Sequence, residues 1–557
     1  MVLVPHEDDE ILTAGSLIHI LAENGTKVYV VYASNGDWKY TAKTRFKEAI
    51  DSALILGIPS SNVIFLGYGD SAPESSREHI FNSWSGTVAS PAGHLHTYGI
   101  KNHQDFAFQY RGVHSDYNAQ NYLNDIVDVI LSIKPGFIIC SDFDEHPDHK
   151  MLSLFFDRAM GIIRKQYPDY TPFIWKRFAY SLAYNAVSDY TVINNPETMR
   201  PEVGITSKYV KDIIDTSIYC WKDRIRIPTI DTGKEPICKS TLGRALLKHK
   251  SQYIIRNADR IINSDEVYWS RRTDGVSYCA KVETSSGNGD YLNDFMLMNI
   301  CNIDTSDSAY VDYYWKPEEC DKEKTVKFSW DEEQIIEEIV LYGAIAEDSQ
   351  IEELQIKLSN GKIFTINDIP NNGNPVSVDI GYCEGIKSVE ITILSARGDN
   401  YGLSECEFYA CKKEPECINP FIKILVNDNF VYEYVIPEHE KELQLGLYTY
   451  GIENPKEQIK IIEGKSKIVN NRLLIDSADQ IIILRVEDGS AWDQVVIKKA
   501  SQSEMKKLES LNRADLKFLK RQRALFRIHN MLYILKHQGV LSVLKRTAKN
   551  GVFGTFR

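Results

Sequence analysis

The first 140 residues alternate short apolar runs with segments whose apolar residues recur at helical spacing, and this pattern constrains the fold more than any other feature. Val2 to Val4 form the first apolar run, and Ile11 to Leu21 follow with helical periodicity. The pattern recurs as strand 27–33, helix 44–56, strand 62–66, helix 122–133 and strand 136–140. Such alternation predicts a mostly parallel sheet that is covered by helices on both faces.

Two groups of acidic residues and histidines follow the first and the last of these strands. The sequence PHEDDE occupies residues 5–10, and DEHPDH occupies residues 144–149. In open parallel sheets, ligands bind beyond the carboxyl ends of the strands. We therefore expect the two groups to meet at one edge of the sheet, although about 140 residues separate them in sequence.

Residues of these types suit a catalytic zinc, which takes three protein ligands and keeps a fourth position for water. His6, Asp9 and His149 are the candidate ligands. Asp8 is then free to accept a proton from the attacking water. His146 can stabilise the oxyanion and protonate the departing amine. These groups are together sufficient for hydrolysis of an amide.

The same residues also have a purely structural interpretation. Asp8, Asp9 and Glu10 can be acids at a helix N-terminus, Asp148 can be a helix cap, and the histidines can lie on the surface. Either motif alone is compatible with this interpretation. Their occurrence together, at matching strand ends, favours the metal site.

The pair of motifs resembles the PIG-L (LmbE-like) family of zinc-dependent N-deacetylases, which remove acetyl from N-acetylglucosamine-type sugars. The segment from His6 to Glu10 is similar to the family's His-Pro-Asp-Asp-Glu, with Glu7 in place of proline, and 146–149 matches His-Pro-Asp-His. The resemblance implies zinc, or another divalent metal, on His6, Asp9 and His149. It also implies Asp8 as general base and His146 as oxyanion partner and acid.

Further similarities extend the resemblance over roughly the first 180 residues. They include the turn at 34–37 and Arg45 on the next helix. We expect Asn35, Arg45 and Asp148 to support the metal ligands or to contact substrate. Glu7 in place of proline is expected to loosen the loop without removing a ligand. The segment 71–115 is longer than a simple loop and rich in histidines and aromatics, so we interpret it as a lid or substrate wall.

The pattern becomes β-rich after residue 265. Residues 326–330, 354–358 and 389–393 alternate apolar with polar side chains, and 359–362 is typical of a hairpin turn. They predict an antiparallel sandwich over 265–412. The order of its strands and the segment 402–409 resemble discoidin or galactose-binding-like domains, which implies sugar binding. A purely structural sandwich is the alternative.

The rest of the chain predicts a second small sandwich over 420–500, with an immunoglobulin-like fold as one option, and a helical tail over 501–557. The tail holds 13 Lys and Arg against three Asp and Glu. A basic amphipathic helix can lie on an anionic membrane surface, or it can pack on the acidic body of the same protein. The fold class is therefore multidomain, with a Rossmann-like α/β domain over 1–255 followed by two sandwiches and the tail.

Charge and composition narrow the function classes. The net charge of −13 argues against a nucleic-acid groove on the main domains. The first residues reach acidic side chains before a signal-peptide core, so we expect a cytoplasmic protein, in contact with the inner membrane surface if the tail binds lipid.

The ten cysteines lack the spacing of a zinc ribbon or a disulfide framework, which predicts free thiols. Only the group Cys406, Cys411 and Cys417 is spaced closely enough for a disulfide.

The sequence thus predicts an enzyme, a metal-dependent deacetylase that acts on an N-acetylated sugar, glycan or glycoconjugate, with a carbohydrate-binding module attached. Two alternatives remain open. One is a zinc amidase that acts on a non-sugar acyl amine. The other is a non-catalytic carbohydrate-binding protein.

Overall fold

A computed structural model describes residues 1–37, 41–70, 80, 83–142, 144, 146–179, 225–230, 235–297, 313–346, 348–412, 421–450, 452, 458–489 and 491–554. It contains an α/β domain, two β-rich domains and a C-terminal helix, which confirms the predicted fold class. None of the helices in these described ranges combines the length and the apolar character needed to cross a bilayer.

Among the described residues, seven strands form the sheet of the α/β domain. They are β1 Val2–Val4, β2 Val30–Ser34, β3 Val63–Tyr68, β4 Phe137–Ser141, β5 Phe173–Arg177, β6 Ile225–Pro228 and β7 Asp265–Arg271. Their order is β3-β2-β1-β4-β5-β7-β6. The strands β1 to β5 pair in parallel, and β7 pairs antiparallel with β5 and β6. The sheet reaches Arg271, beyond the predicted domain end at residue 255, and the domain boundaries stay a prediction.

Helices cover both faces of this sheet. They are α1 Asp9–Glu23, α2 Ala42–Ile55, α3 Phe106–Arg111, α4 Ala119–Ile133, α5 Pro147–Gln166, α6 Thr241–Leu246 and α7 Ala258–Ile261. One core packs α4 and α5 against the sheet through residues such as Ile126 and Phe156, and the other packs α1 and α2 through Ile18 and Phe46. The strands are apolar along their whole length because both of their faces are covered.

The described residues of the second domain form six strands. They are β8 Lys281–Thr284, β9 Thr325–Gly343, β10 Gln350–Leu358, β11 Ile363–Asn367, β12 Pro375–Arg397 and β13 Leu403–Tyr409. All pairs are antiparallel, in the order β11-β10-β12-β9-β13 with β8 beside β9. The predicted hairpin turn joins β10 to β11, where Gly361 has a φ of +90°. Bulges bend long strands, and the pairing of β12 with β9 shifts register around Cys383.

In the described part of the third domain there are nine short strands. They are β14 Phe421–Val426, β15 Asn429–Phe430, β16 Glu433–Pro437, β17 Glu442–Tyr450, β18 Lys460–Glu463, β19 Lys467–Val469, β20 Arg472–Leu474, β21 Ile481–Asp488 and β22 Ala491–Ala500. They make two sheets, β15-β14-β17-β20-β19 and β16-β22-β21-β18, around one apolar core. The pair β16 and β22 is parallel, and the other pairs are antiparallel.

The tail is one helix, α8 Gln502–Gly554, whose first half packs on the α/β domain. Leu519 is buried in the core that contains α1 and α2. Asp515 accepts a hydrogen bond from the backbone N–H of Ile237 (2.9 Å), and Arg523 pairs with Asp259. The expectation that the helix packs on the protein's own body therefore holds for this half. Membrane contact and cytoplasmic location stay predictions.

Some predictions fall on residues outside the described ranges, namely Cys417 and the parts 71–79 and 81–82 of the segment 71–115. The described Cys406 and Cys411 are both free thiols, as are Cys140, Cys238, Cys279, Cys320 and Cys383. This agrees with the prediction of reduced cysteines.

Candidate metal and catalytic site

The two sequence motifs meet because their strands are neighbours in the sheet. Val2 and Leu3 of β1 pair with Ile139 and Cys140 of β4. Each strand runs into a short loop and then a helix, with α1 beginning at Asp9 and α5 at Pro147. The loop residues at the two carboxyl ends therefore share one edge of the sheet, as the sequence predicts.

The three predicted metal ligands lie side by side, and one carboxylate oxygen joins them. Asp9 Oδ2 is 3.0 Å from His6 Nδ1 and 3.2 Å from His149 Nε2. The three residues are at most 6% exposed. Such a contact of two imidazoles with one carboxylate, out of reach of bulk water, is an arrangement that a cation stabilises.

The remaining nitrogen of each imidazole faces a further carboxylate. His6 Nε2 is 3.0 Å from Asp148 Oδ2 and 3.2 Å from Asp70 Oδ1. His149 Nδ1 is 2.7 Å from Asp144 Oδ2. A histidine that ligates a metal commonly donates its other N–H to a carboxylate, which orients the ring. We call His6, Asp9, Asp70, Asp144, Asp148 and His149 the strand-end cluster.

The carboxylates of the strand-end cluster keep the two imidazoles charged when no cation is present. Burial alone would lower the pKa of His149, but Asp144 and Asp9 raise it to about 10. Burial would also lower the pKa of His6, but Asp70, Asp148 and Asp9 raise it well above its ordinary value. Burial would raise the pKa of Asp9, but His149 and His6 hold it well below its usual range. A bound cation would replace the two imidazolium protons.

His6 belongs to two sets of side chains that could hold a metal ion. Among the described residues, these sets have ligand atoms within 4.8 Å of one another, and they are His6 with His146 and His149, and His6 with Asp70 and Asp148. Neither set includes Asp9. Two atoms that each lie 2.0–2.2 Å from a tetrahedral zinc are about 3.3 to 3.6 Å apart. The contacts of Asp9 Oδ2 with His6 and His149, at 3.0 and 3.2 Å, are slightly shorter than this separation.

Asp8 lies at the rim of this site, where Arg45 holds it. The Arg45 guanidinium donates from Nη2 to Asp8 Oδ1 (3.2 Å) and to the backbone oxygen of Glu7 (2.9 Å), and its Nε is 3.1 Å from Glu7 Oε2. Burial raises the pKa of Asp8 to about 6, and Arg45 opposes the rise. The buried Glu7 thus contacts Arg45, although burial raises the pKa of Glu7 to about 8 against the effect of this guanidinium. The contact holds the loop in place where a looser loop was expected.

His146 stands beside the two histidine ligands and is partly exposed. Its ring centre is 4.7 Å from that of His6 and 4.8 Å from that of His149. Its Nδ1 accepts the backbone N–H of Asp148, at 3.2 Å, so a neutral ring carries its proton on Nε2. Burial and the two neighbouring histidines hold the pKa of His146 well below its ordinary value.

Asn35 joins the ends of β2 and β3, because its side-chain amide donates to the backbone oxygen of Gly67 (2.9 Å). Its predicted role beside the ligands or the substrate stays a prediction. The described histidines of the segment 71–115 are also engaged elsewhere. His96 contacts Asp116, His103 contacts the backbone oxygen of Val63, and His114 contacts Asp105.

The sequence argument assigned no role to Asp70 and Asp144. Asp144 belongs to the second motif, but its contact with His149 depends on how the loop folds back over α5. Asp70 follows β3, a third parallel strand whose carboxyl end lies at the same edge of the sheet. The rule that ligands bind at strand ends would have selected it if it had been applied to β3 as well.

The fold and the strand-end cluster define an α/β domain with a histidine and carboxylate site suited to a divalent metal. Residues 1–160 match the family model "PIG-L: GlcNAc-PI de-N-acetylase", so this part of the chain is a PIG-L family domain. This confirms the resemblance expected from the two motifs. Residues 308–409 match "Domain of unknown function (DUF7402)". No curated protein sequence matches the chain.

Several solved structures are similar to parts of the chain. One is the N,N'-diacetylchitobiose deacetylase from Pyrococcus horikoshii, with 14% identity, 49% of this chain and 83% of that chain covered, and a TM-score of 0.26. A second is a deacetylase in the biosynthesis pathway of teicoplanin, with 16% identity and a TM-score of 0.29. The match covers 49% of this chain and 98% of that chain. A third is the family 32 CBM from C. perfringens NanJ in complex with galactose, with 12% identity and a TM-score of 0.18. The match covers 23% of this chain and 92% of that chain.

Proposed function

We propose that the protein is a zinc-dependent hydrolase that removes the N-acetyl group from an N-acetylglucosamine-like sugar or glycoconjugate. One observation carries the proposal. Each of the two imidazoles that face Asp9 Oδ2 has its other nitrogen against a carboxylate, Asp148 and Asp70 for His6 and Asp144 for His149. In zinc enzymes, a histidine that ligates the metal commonly has its other nitrogen against a carboxylate in this way, which supports the proposal. The family of residues 1–160 supports deacetylation as the reaction.

Each step of amide hydrolysis is assigned to particular residues of this chain. A divalent ion on His6, Asp9 and His149 would supply Lewis acidity that polarises the acetyl carbonyl. Asp8 accepts a proton from the attacking water, and a carboxylate with a pKa of about 6 is ionised at neutral pH and suited to this task. As the C–N bond breaks, the nitrogen gains a proton and leaves as an amine, and the acyl group leaves as acetate.

In this proposal, His146 stabilises the negative charge that develops on the carbonyl oxygen. Its low pKa keeps the ring neutral, and its Nδ1 is occupied by the Asp148 N–H. The Nε2–H is therefore the group that can donate a hydrogen bond to the oxyanion. The same proton is the one that His146 would give to the departing amine.

Acetate release is the experiment that tests this proposal. Full-length protein would be analysed for metal and then incubated with N-acetylglucosamine, its β-1,4 disaccharide and several N-acetyl amines that are not sugars. We expect acetate from the sugars, its loss with a chelator and its return with zinc. Release from the non-sugar amines alone would favour an amidase. No release from any substrate by metal-loaded protein would contradict the proposal and favour a carbohydrate-binding protein.

A glycan-binding role for the sandwich formed by β8 to β13 stays a prediction. Retention of the full-length Asp8→Asn protein on immobilised N-acetylated glycans would test it, because this variant is expected to bind without turnover. Equal retention on uncoated matrix would contradict it.

A further inference from the structure

The start of α1, which carries Asp9, is not continuous with the rest of that helix. At Ala14 the backbone has φ −153° and ψ 30°, angles outside the helical region, and the helix is kinked there. We call residues 5–13, between β1 and this kink, the motif segment. Because the kink interrupts the helix, side-chain contacts on both sides of the motif segment help to fix its position.

Arg45 holds one side of the motif segment through its contact with Asp8. Glu10 holds the other side. Its Oε1 accepts the hydroxyl of Ser52 on α2 (2.7 Å) and lies 2.9 Å from Nε2 of His249. The side chains of Glu10 and His249 are both 0% exposed. A charged group that is buried this completely requires a partner, and His249 is one for Glu10.

The imidazole of His249 is oriented by Glu10. A carboxylate oxygen only accepts hydrogen bonds, so Nε2 of His249 carries the proton and donates it. Burial would lower the pKa of His249, but Glu10 and Asp8 raise it above its ordinary value. The ring is therefore close enough to both carboxylates for their charges to act on it. Within the described part of the chain, its buried Nδ1 has no hydrogen-bond partner, so Glu10 is the group to which this ring is tied.

His249 lies in a loop that follows α6, and we call residues 247–253 the brace loop. A second contact ties this loop to α2. The backbone N–H of Ser251 donates to Glu48 Oε1 (2.9 Å), and its hydroxyl donates to Glu48 Oε2 (2.7 Å). Glu48 lies one turn beyond Arg45 on α2. The brace loop is thus fixed to the same helix that carries the partner of Asp8.

The C-terminal helix α8 holds the brace loop from its other side. The ring of Tyr253 packs on that of Phe526, with centroids 5.9 Å apart. Just after the loop, the backbone oxygen of Arg256 accepts a hydrogen bond from Arg523 Nε (3.2 Å). The brace loop therefore lies between α2 and α8. It comes from a part of the chain beyond residues 1–160, which form the PIG-L domain.

We propose that His249 is a positioning residue for the hydrolysis, because by holding Glu10 it keeps Asp8 and Asp9 in the place where they act. This inference rests on the proposed deacetylase function and names a further residue that serves the same site. His249 is fully buried, so it acts through Glu10 and not on the substrate. A base must lie within hydrogen-bonding reach of its proton, and misplacement by about 1 Å costs roughly 10²-fold in rate.

The test compares two substitutions of His249 by steady-state acetate release. His249→Leu removes the donor and leaves an apolar side chain, whereas His249→Gln keeps an N–H near the position of Nε2. We expect His249→Leu to lower kcat by about tenfold with KM and metal content unchanged, because the motif segment loses one of its contacts. His249→Gln should keep most of the wild-type kcat. Equal kcat in His249→Leu and the wild type, or an equal loss in both variants, would overturn the proposal.

A matched control lies on the same helix beyond the kink. Nδ1 of His19 contacts the backbone oxygen of Leu56 (3.3 Å), so His19→Leu removes a histidine contact of α1 that does not hold the motif segment. This variant should keep the wild-type kcat. A tenfold loss in His19→Leu as well would show that any histidine contact of α1 has the same effect, and it would overturn a specific role for His249.

Hydrogen exchange read by mass spectrometry tests the positioning without turnover. Amides of the motif segment should exchange about tenfold faster in His249→Leu than in the wild type, with His249→Gln close to the wild type. Peptides from the strands β8 to β13 should exchange at unchanged rates. Unchanged exchange in the motif segment, or faster exchange throughout the α/β domain, would overturn the local role.

A double variant keeps the test valid if His249→Leu fails to fold because Glu10 is left buried without its partner. Glu10→Leu combined with His249→Leu replaces the pair with apolar side chains, so no buried charge remains at this position. This variant should fold and show the same loss of kcat and the same local increase in exchange. Wild-type kcat and exchange in the double variant would overturn the proposal.

The exchange measurement also separates this inference from the proposed function. Absence of acetate from every substrate, with metal-loaded wild-type protein, would contradict the deacetylase. The exchange rates of the motif segment would then still decide whether His249 holds it. Acetate release by the wild type with no difference between the wild type and His249→Leu would overturn the inference alone.

Discussion

Two parts of the molecule bury several carboxylates and satisfy them differently. In the strand-end cluster, carboxylates face imidazoles, and Asp9 and Asp148 have their pKa values held below the usual range by His149 and His6 despite burial. The second group lies where the α/β domain meets the sandwich, and we call Arg271, Asp294, Glu405 and Glu407 the interdomain cluster. Here burial raises the pKa of Asp294 to about 7 and that of Glu405 well above its ordinary value.

The donors around the interdomain cluster explain this difference. Glu407 accepts hydrogen bonds from Arg271 and from the hydroxyls of Tyr278 and Tyr409. Glu405 accepts the backbone N–H groups of Asp294 and Phe295. Protonation and ordinary donors therefore satisfy these carboxylates, and the group is structural. In the strand-end cluster, burial raises the pKa of Asp70 to about 6, but His149 and His6 hold the pKa values of Asp9 and Asp148 below the usual range, and ionised carboxylates beside two histidines suit an added cation. Burial of charge alone does not identify a functional site.

The largest effect is expected when a predicted metal ligand is removed, and this change tests the difference between the two clusters. His149→Ala should lose the bound metal and lower kcat by about 10³-fold or more, because the ion loses one of three protein ligands. Metal content by mass spectrometry and acetate release would both be measured. His96→Ala, at an exposed histidine paired with Asp116, is the matched control and should retain both. Full metal content in His149→Ala would show that the strand-end cluster is no more a metal site than the interdomain cluster.

A second test separates proton transfer from metal binding. Asp8→Asn should lower kcat by roughly 10²- to 10⁴-fold, because the amide cannot accept the proton of the attacking water. The metal content should stay at the wild-type value, since Asp8 is not among the predicted ligands. Asp399→Asn, at an exposed position of the sandwich, is the control. Wild-type turnover by Asp8→Asn would remove Asp8 as the base.

A smaller effect is expected at Arg45, which holds Asp8 and the Glu7 backbone. Arg45→Met should lower kcat by about 10- to 100-fold with metal retained, because the base loses the contact that orients it. Arg45→Lys should recover part of the loss, since it restores the charge but not both hydrogen bonds. A change in KM alone, with kcat unchanged, would instead indicate that Arg45 contacts the substrate.

The smallest effect is expected at the interdomain cluster, where the pH dependence of the free energy of unfolding would be measured. An acid whose pKa is raised on folding, as for Asp294, contributes stability that is present below its unfolded pKa of about 4 and is lost as the pH rises through about 7. Asp294→Asn imitates the protonated acid. It should match the wild-type free energy of unfolding near pH 3.5 and exceed it at pH 8 by roughly 4 kcal/mol, with a correspondingly higher melting temperature at pH 8. Equal melting temperatures at both pH values would show that Asp294 is ionised in the folded protein.

Much of the fold and the centre of the site could be predicted from the sequence. Alternating apolar periodicity identifies β1 to β4, and the fixed geometry of parallel strands brings His6 near His149. The contacts that depend on the path of a loop could not be predicted in this way. Glu7 pairs with Arg45, and Asp144 turns back onto His149, because of loop conformations that short patterns do not encode. The two long strands β9 and β12 were likewise recognised only as short segments, since their bulges interrupt the period-two pattern.

Anomalous diffraction at the zinc absorption edge, from crystals of the full-length protein grown with zinc, tests the central claim most directly. We predict one strong peak about 2 Å from Asp9 Oδ2, His149 Nε2 and a ring nitrogen of His6. The account would be contradicted by a peak held by Asp70 and Asp148 without Asp9 and His149, or by no peak within reach of these side chains.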